Sequence, residues 1–322
     1  MIVSGKLHRG CLVFLGFDLF ADKALDALDE DDDRLKLLKN LSMVVELTHS
    51  AFLLHDDVMD QDQIRRGLPT FHHFVKDELQ ELALADRPKV GESVAICLGD
   101  LLIFWSNSLL SESLLMFDNH HSSQKLSQIY YQNMANTCWG QMDDVYLAKS
   151  GNEIRDEQVF HVYSFKTGHY SIANPLLLGA IVAGASDKQL SLLAEISQKL
   201  GVIFQIIDDQ LNLFGDSKIT GKPVGSDIRE NKKTILHNWL HKSASSQDKQ
   251  DMNKLFGNEF LDEQGVETVK QLLQKYGVIE EIGQLIDKLK DEVQISLSKL
   301  GLFSQQEALF LDFVKFLTVR KK

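Results

Sequence analysis

Helical periodicity runs through nearly all of this chain and excludes most folds before composition is considered. Leu35, Leu38, Leu41, Val45, Thr48 and Phe52 recur at intervals of three and four, the spacing that lines one face of an α-helix. Asp31 to Asp33 stand ahead of them as N-cap and first-turn acids, so a helix is predicted over 34–60,. Similar stretches run over 94–117, 124–149, 157–184, 188–214, 231–243 and 266–299, with turn signals at Asn119, Gly151, Gly184, Gly215 and Gly277,. No alternating strand pattern is seen. The four prolines are scattered and no Ser/Gly-rich linker or repeat occurs, so the expectation is all-α: one helical bundle domain over residues 1–322 around a central cavity. Lys76 to Gly91, with Pro88 and mixed charge, reads as a surface excursion between helices.

Two aspartate-rich clusters stand out on this background, HDDVMDQDQIRRG at 55–67 and QIIDDQLNLFGD at 205–216. On the predicted first helix Asp56 and Asp60 lie one turn apart, roughly 6 Å along the axis, and would repel unless cations sat between them. Asp57 points roughly 100° away and supports them from behind. A second helix bearing Asp208 and Asp209 would form the facing wall. Oxygen-only ligands at this density suit Mg²⁺, which keeps waters and binds substrate phosphates. A lone DDxxD is as easily a solvated acidic face, but here Arg65, Arg66 and Gly67 follow the first cluster, and Lys222, Lys232 and Lys233 follow the second. Cations beside metal-binding carboxylates make sense for a polyphosphate ligand.

With these clusters stand GKLHRG at 5–10, ELTHSAFLLHDDVMDQDQIRRGLPTFH at 46–72, LGDLL at 98–102, GQMDD at 140–144, FKTGHY at 165–170, GVIFQIIDDQLNLFGD at 201–216 and TGKPVGSDIRENKKT at 220–234. In this order the motifs resemble the trans-isoprenyl diphosphate synthases, the polyprenyl synthase family, over nearly the whole chain. The resemblance implies a prenyltransferase that condenses isopentenyl diphosphate head-to-tail with dimethylallyl, geranyl or farnesyl diphosphate. It further implies Mg²⁺, three ions per site, and a homodimer. Two departures are visible. Only four residues precede Gly5, where the family has one or two helices, which reads as a shortened N-terminus; and Asn212 stands where the fullest second motif has a third aspartate.

Residue by residue, the resemblance makes Asp56, Asp60 and Asp208 the metal ligands. It puts the allylic diphosphate on Arg65, Lys166, Lys222 and Lys232, and lines the reacting end with Thr167 and Gln205. Isopentenyl diphosphate falls to Lys6, Arg9, His49 and Arg66. An isolated lysine is usually solvated and an isolated histidine usually a satisfied core group; the KTG, TGK and ELTH contexts decide for binding, while His55 is left structural. Phe52, one turn below Asp56, and the small Ala51 should set product length, and one aromatic at the nearer position implies fifteen or twenty carbons. Ionisation of an allylic diphosphate costs charge separation. At 4 Å and an effective dielectric near 20 each unit charge pair is worth about 4 kcal/mol, so cations at the leaving group supply much of the barrier reduction. The released diphosphate is the expected base.

A net charge of −12 excludes a nucleic-acid partner,. Cys11, Cys97 and Cys138 form no CxxC and fit buried thiols in a reducing compartment,. The apolar run CLVFLGFDLF after Lys6 and Arg9 is interrupted by Asp18, and 175–185 is too short to span a bilayer. A cytoplasmic chain without membrane insertion is expected. Three other readings stand beside the synthase. A class I terpene cyclase would want a hydroxyl residue at 212 and glutamate at 216. A phosphohydrolase built on His55–Asp56 would need further ligand histidines. A non-catalytic subunit of a heteromeric synthase would not need the intact aspartates and cations.

Overall fold

A computed structural model describes residues 7–78, 86–117, 119–150, 154–215 and 224–319. The fold is all-α. Its elements are α1 (His8–Asp18), α2 (Asp33–Met59), a hairpin of β1 (Ile64–Arg65) and β2 (Leu68–Pro69), α3 (Phe71–Glu78), α4 (Arg87–Leu114), α5 (His120–Lys149), α6 (Asp156–Val162), a π-helical segment (Tyr163–Ala173), α7 (Asn174–Val182) and α8 (Asp187–Phe214). They continue as α9 (Ser226–Arg229), α10 (Ile235–Ser243), α11 (Ser246–Leu255), α12 (Glu263–Lys275), α13 (Val278–Leu297) and α14 (Ser304–Val319).

The chain gathers into two compact units, residues 1–130 with 175–185, and residues 131–174 with 186–322. In the first, α2 packs along α4, with α1 against α2 and α3 against α4. The Asp32 carboxylate caps α2 by accepting from the Arg34 N–H at 2.8 Å,. Ala51 and Leu54 of α2 meet Leu102 of α4 in a buried apolar cluster edged by Leu47, Leu98 and Phe71. In the second unit, α8 packs on the π-helical segment and on α13. Ser186 caps α8 through a reciprocal pair with Gln189,. A larger core beneath it includes Ile206, Ile235, Leu240, Val269 and Ile282.

Close approach of α8 to the π-helical segment depends on two glycines. A Cβ on Gly201 would sit 2.2 Å from the Gly168 Cα, so position 201 tolerates no side chain.

Several expectations need correcting. Lys76–Gly91 is not wholly an excursion, because α3 runs to Glu78 and α4 begins at Arg87. A short hairpin, absent from the sequence reading, occupies 64–69: Arg66 (φ 56°) and Gly67 (φ 75°) both take positive φ at its tip, the combination a two-residue type I′ turn requires,. All three cysteines are free and exposed, not buried. By length and composition, Arg87–Leu114 and Asp187–Phe214 could each cross a membrane. More than half of the apolar window in the second is buried, against 28% in the first, so α8 is a core helix while α4 turns Leu101, Phe104 and Trp105 outward.

Candidate active site

The first carboxylate cluster forms where α2 ends. Asp60 closes the helix, its N–H donating to the Asp56 carbonyl at 2.8 Å. The hairpin that follows folds Arg65 back onto the acids: Nη2 lies 3.2 Å from Asp56 and 3.1 Å from Asp62, while Nε donates to Asp57. Burial works against this guanidinium's charge, yet Asp56, Asp57 and Asp62 outweigh it and hold the group above its ordinary value. Burial also pushes the Asp57 carboxyl up to about 6, against the pull of Arg65. Asp57 is 3% exposed, which fits a supporting role behind Asp56.

A cationic group stands on the same unit. Arg9 of α1 donates through Nη1 to His49 Nε2 at 3.0 Å. Burial, then the charges of Arg9, Arg66 and Arg65, hold His49 well below its usual value, so it is neutral and accepts. Arg66 is itself lowered by burial and by the neighbouring Arg65 and Arg9. The structure thus brings together Arg9, His49 and Arg66. Lys6, the fourth member of that set, lies outside the described residues. His55 of α2 is held apart by α4, 3.2 Å from the Ile96 carbonyl and 3.4 Å from Asp100.

On the second unit, the π-helical segment and α8 face each other. Lys166 Nζ donates to Asp144 at 2.7 Å, which gives the GQMDD motif a function the sequence reading had not assigned. Thr167 donates to Gln205 Oε1 at 2.7 Å, and Gln205 Nε2 donates to Asp209 Oδ1 at 2.9 Å. Tyr163 donates to the other oxygen of Asp209 and accepts from the Ile235 N–H at 2.8 Å. Asp209 is therefore drawn into the core, 3% exposed, and burial with the charge of Asp227 pushes its carboxyl well above the usual range. Asp208, next to it, is exposed. Asn212, where the fullest second motif has an aspartate, ties α8 to α9, donating to Ser226 at 2.6 Å and accepting from the Asp227 N–H at 3.3 Å. Lys232 reaches Glu230 at 2.9 Å; Lys222 lies outside the described residues.

Sequence reasoning missed Tyr163, Asp144 and Asp62. Asp144 and Asp62, each inside a quoted motif, carried a signal; Tyr163 carried none. No group of three metal-ligating side chains is preformed among the described residues. Mg²⁺ takes one or two carboxylates and completes its shell with water and phosphate oxygens.

A family model described as Polyprenyl synthetase matches residues 1–274. A protein named geranylgeranyl diphosphate synthase from Sulfolobus acidocaldarius is 31% identical over 278 residues, covering 86% of this chain and 78% of that protein. One named short chain isoprenyl diphosphate synthase from Methanocaldococcus jannaschii is 31% identical over 229 residues, 71% of this chain and 63% of its own length. Among solved structures, geranylgeranyl pyrophosphate synthase from Corynebacterium glutamicum, complexed with isoprenyl diphosphate and magnesium, superposes with a TM-score of 0.89 at 27% identity, covering 99% of this chain and 88% of that one.

Proposed function

Because this chain belongs to the polyprenyl synthetase family and is a trans-prenyltransferase, we propose that it joins isopentenyl diphosphate head-to-tail to dimethylallyl, geranyl or farnesyl diphosphate, releasing a product of fifteen or twenty carbons. The observation that carries this reading is the pairing at the end of α2: a carboxylate cluster beside a cationic set of Arg9, Arg66 and neutral His49. Carboxylates suit a metal and cations suit a diphosphate bound without one. Relatives named as synthases favour this reading over a non-catalytic subunit or a terpene cyclase.

Asp56, Asp60 and Asp208 would hold Mg²⁺, three ions per site, which supplies charge neutralisation at the departing diphosphate. Lys166, held by Asp144, and Arg65, Lys222 and Lys232 bind the allylic diphosphate. Arg9, Arg66 and Lys6 grip isopentenyl diphosphate, and His49 aims Arg9 by accepting a hydrogen bond from its guanidinium. Thr167 and Gln205 present oxygens to the developing cation, with Gln205 oriented by Asp209. Ala51 and Phe52 limit the tail. The whole chain acts as one catalytic domain, cytoplasmic and homodimeric, a second copy covering the outward Leu101, Phe104 and Trp105 of α4.

The test is incubation of the purified protein with Mg²⁺, isopentenyl diphosphate and each allylic diphosphate in turn, products being dephosphorylated and sized. Asp56→Ala and Asp208→Ala should each reduce turnover by orders of magnitude; the exposed Asp208 should leave the melting temperature unchanged, while Asp56→Ala also removes one of the three carboxylates that pair with Arg65, so its turnover is read in protein shown to be folded. Near wild-type turnover in either variant at saturating Mg²⁺ rejects that ligand.

A further inference from the structure

The N-cap of α9 is Gly225, whose backbone takes a φ of 79° and which has no side chain to serve the first turn. The Asp227 N–H, one of the donors that a helix start leaves unserved, is met from another helix. Asn212 of α8 accepts it on Oδ1 at 3.3 Å. That contact fixes the orientation of the amide, so Nδ2 is the atom that donates to Ser226 Oγ at 2.6 Å,. The Gly225 N–H adds a third tie, donating to the Asn212 carbonyl at 2.9 Å. Past the end of α9, the Asp227 carbonyl accepts the Lys232 N–H at 2.9 Å. Asp227 thus relays the position of Asn212 to Lys232 through its own backbone. Asp227 and Lys232 line one cavity with Asp209 and Thr234.

Resting on the assignment of Lys232 to the allylic diphosphate, we propose that Asn212 is a positioning residue for that lysine and acts through the backbone of Asp227, not through a metal ion. Asn212 stands one turn after Asp208 on α8, where a further carboxylate would share a face with the metal ligand. Its amide nitrogen cannot ligate, and its oxygen is turned to the Asp227 N–H. Asparagine in place of aspartate removes a charge and supplies a clasp that both donates and accepts. Lys232 depends on such a clasp, because a lysine carries its charge on a long flexible stem and is aimed only once its main chain is set.

The test is steady-state kinetics of wild type, Asn212→Leu, Lys232→Ala and the double variant, with Mg²⁺, isopentenyl diphosphate and the allylic diphosphate that wild type turns over fastest each varied in turn. Wild-type protein that makes no product rejects the prenyltransferase reading; an active Lys232→Ala with an unchanged allylic KM rejects the lysine assignment, and the relay falls with either. Asn212→Leu fills the space with neither donor nor acceptor and should raise the allylic KM roughly tenfold, as for loss of one charge-assisted contact. The KM for isopentenyl diphosphate and the Mg²⁺ concentration at half-maximal rate should stay within about twofold of wild type. In the Lys232→Ala background the same change should add less than about twofold, since both variants remove one interaction. Asn212→Asp keeps an acceptor for the Asp227 N–H and should return the allylic KM to within about twofold of wild type. If the leucine variant does not fold, as judged by thermal melt, Ser226→Ala takes its place and should raise the allylic KM about threefold with the same selectivity. An unchanged allylic KM in the folded variant, effects that multiply with Lys232→Ala, or a Mg²⁺ requirement that moves more than the allylic KM overturns the proposal.

Discussion

Removing one oxygen from Tyr163 should weaken the fold and detach Asp209 from its setting. The phenol is 4% exposed, donates to Asp209 and accepts from the Ile235 N–H at 2.8 Å. Burial, then the charge of Asp209, hold its pKa well above the ordinary value, so the hydroxyl stays protonated at any working pH. Tyr163→Phe keeps the ring and its packing but leaves a buried N–H and a buried carboxyl oxygen each short of a partner. Such groups cost about 1–3 kcal/mol each. Asp209 keeps its Gln205 bond, so a total of about 2–4 kcal/mol is expected. With an unfolding entropy of roughly 2.1 cal/mol/K per residue over the chain, that corresponds to a fall of about 3–6 °C in melting temperature. Thermal and denaturant melts of Tyr163→Phe, Asp209→Asn and the double variant measure it, and the pair should couple by about 0.5–3 kcal/mol. Additive effects, or a Tyr163→Phe variant within ~0.5 kcal/mol of wild type, would refute the hydroxyl's bridging role.

His237 supplies a pH test. Burial, followed by the charges of Lys233 and His241, pushes its imidazole down to about 3 from an ordinary 6.5. Between those values the unfolded chain binds a proton that the folded chain refuses, so this contribution is fully present above 6.5 and lost as pH falls towards 3. His237→Phe, which retains a ring against Phe256, should flatten the stability profile between pH 4 and 6 by about 1.4 kcal/mol per pH unit; an unchanged slope in denaturant melts contradicts the burial argument. Gly201→Ala should destabilise by more than about 2 kcal/mol, since its Cβ would meet backbone 2.2 Å away,; wild-type melting would mean that α8 slides freely along the π-helical segment.

Sequence periodicity located α2 to within a residue at either end, because its apolar spacing, its capping aspartate and its carboxylates agree. It passed over α11, SQDKQDMNKL, where Met252 alone is buried and one apolar residue defines no face. It merged α6, the π-helical segment and α7 into one stretch, since local pattern does not report backbone bonding. The hairpin was too short to show alternation, and with it went the route by which Arg65 reaches Asp56, Asp57 and Asp62. In the second cluster, adjacent aspartates are equivalent on paper. Only the neighbours contributed from elsewhere in the chain, Tyr163 and Gln205, separate an inward Asp209 from an exposed Asp208.

Tyr163–Ala173 winds with the wider i→i+5 bonding of a π-helix,, and this sets a phase. Loss of one residue from the segment would let it rewind as α-helix, turning everything before the deletion by roughly 100° relative to everything after it. Lys166 and Thr167 sit inside the segment, so such a deletion would re-aim one or both while sparing the apolar helix that follows. A single-residue gap here, harmless in a surface loop, shifts the register of the residues proposed to meet the allylic diphosphate, and an alignment drawn through 163–173 without regard to winding will pair the wrong side chains.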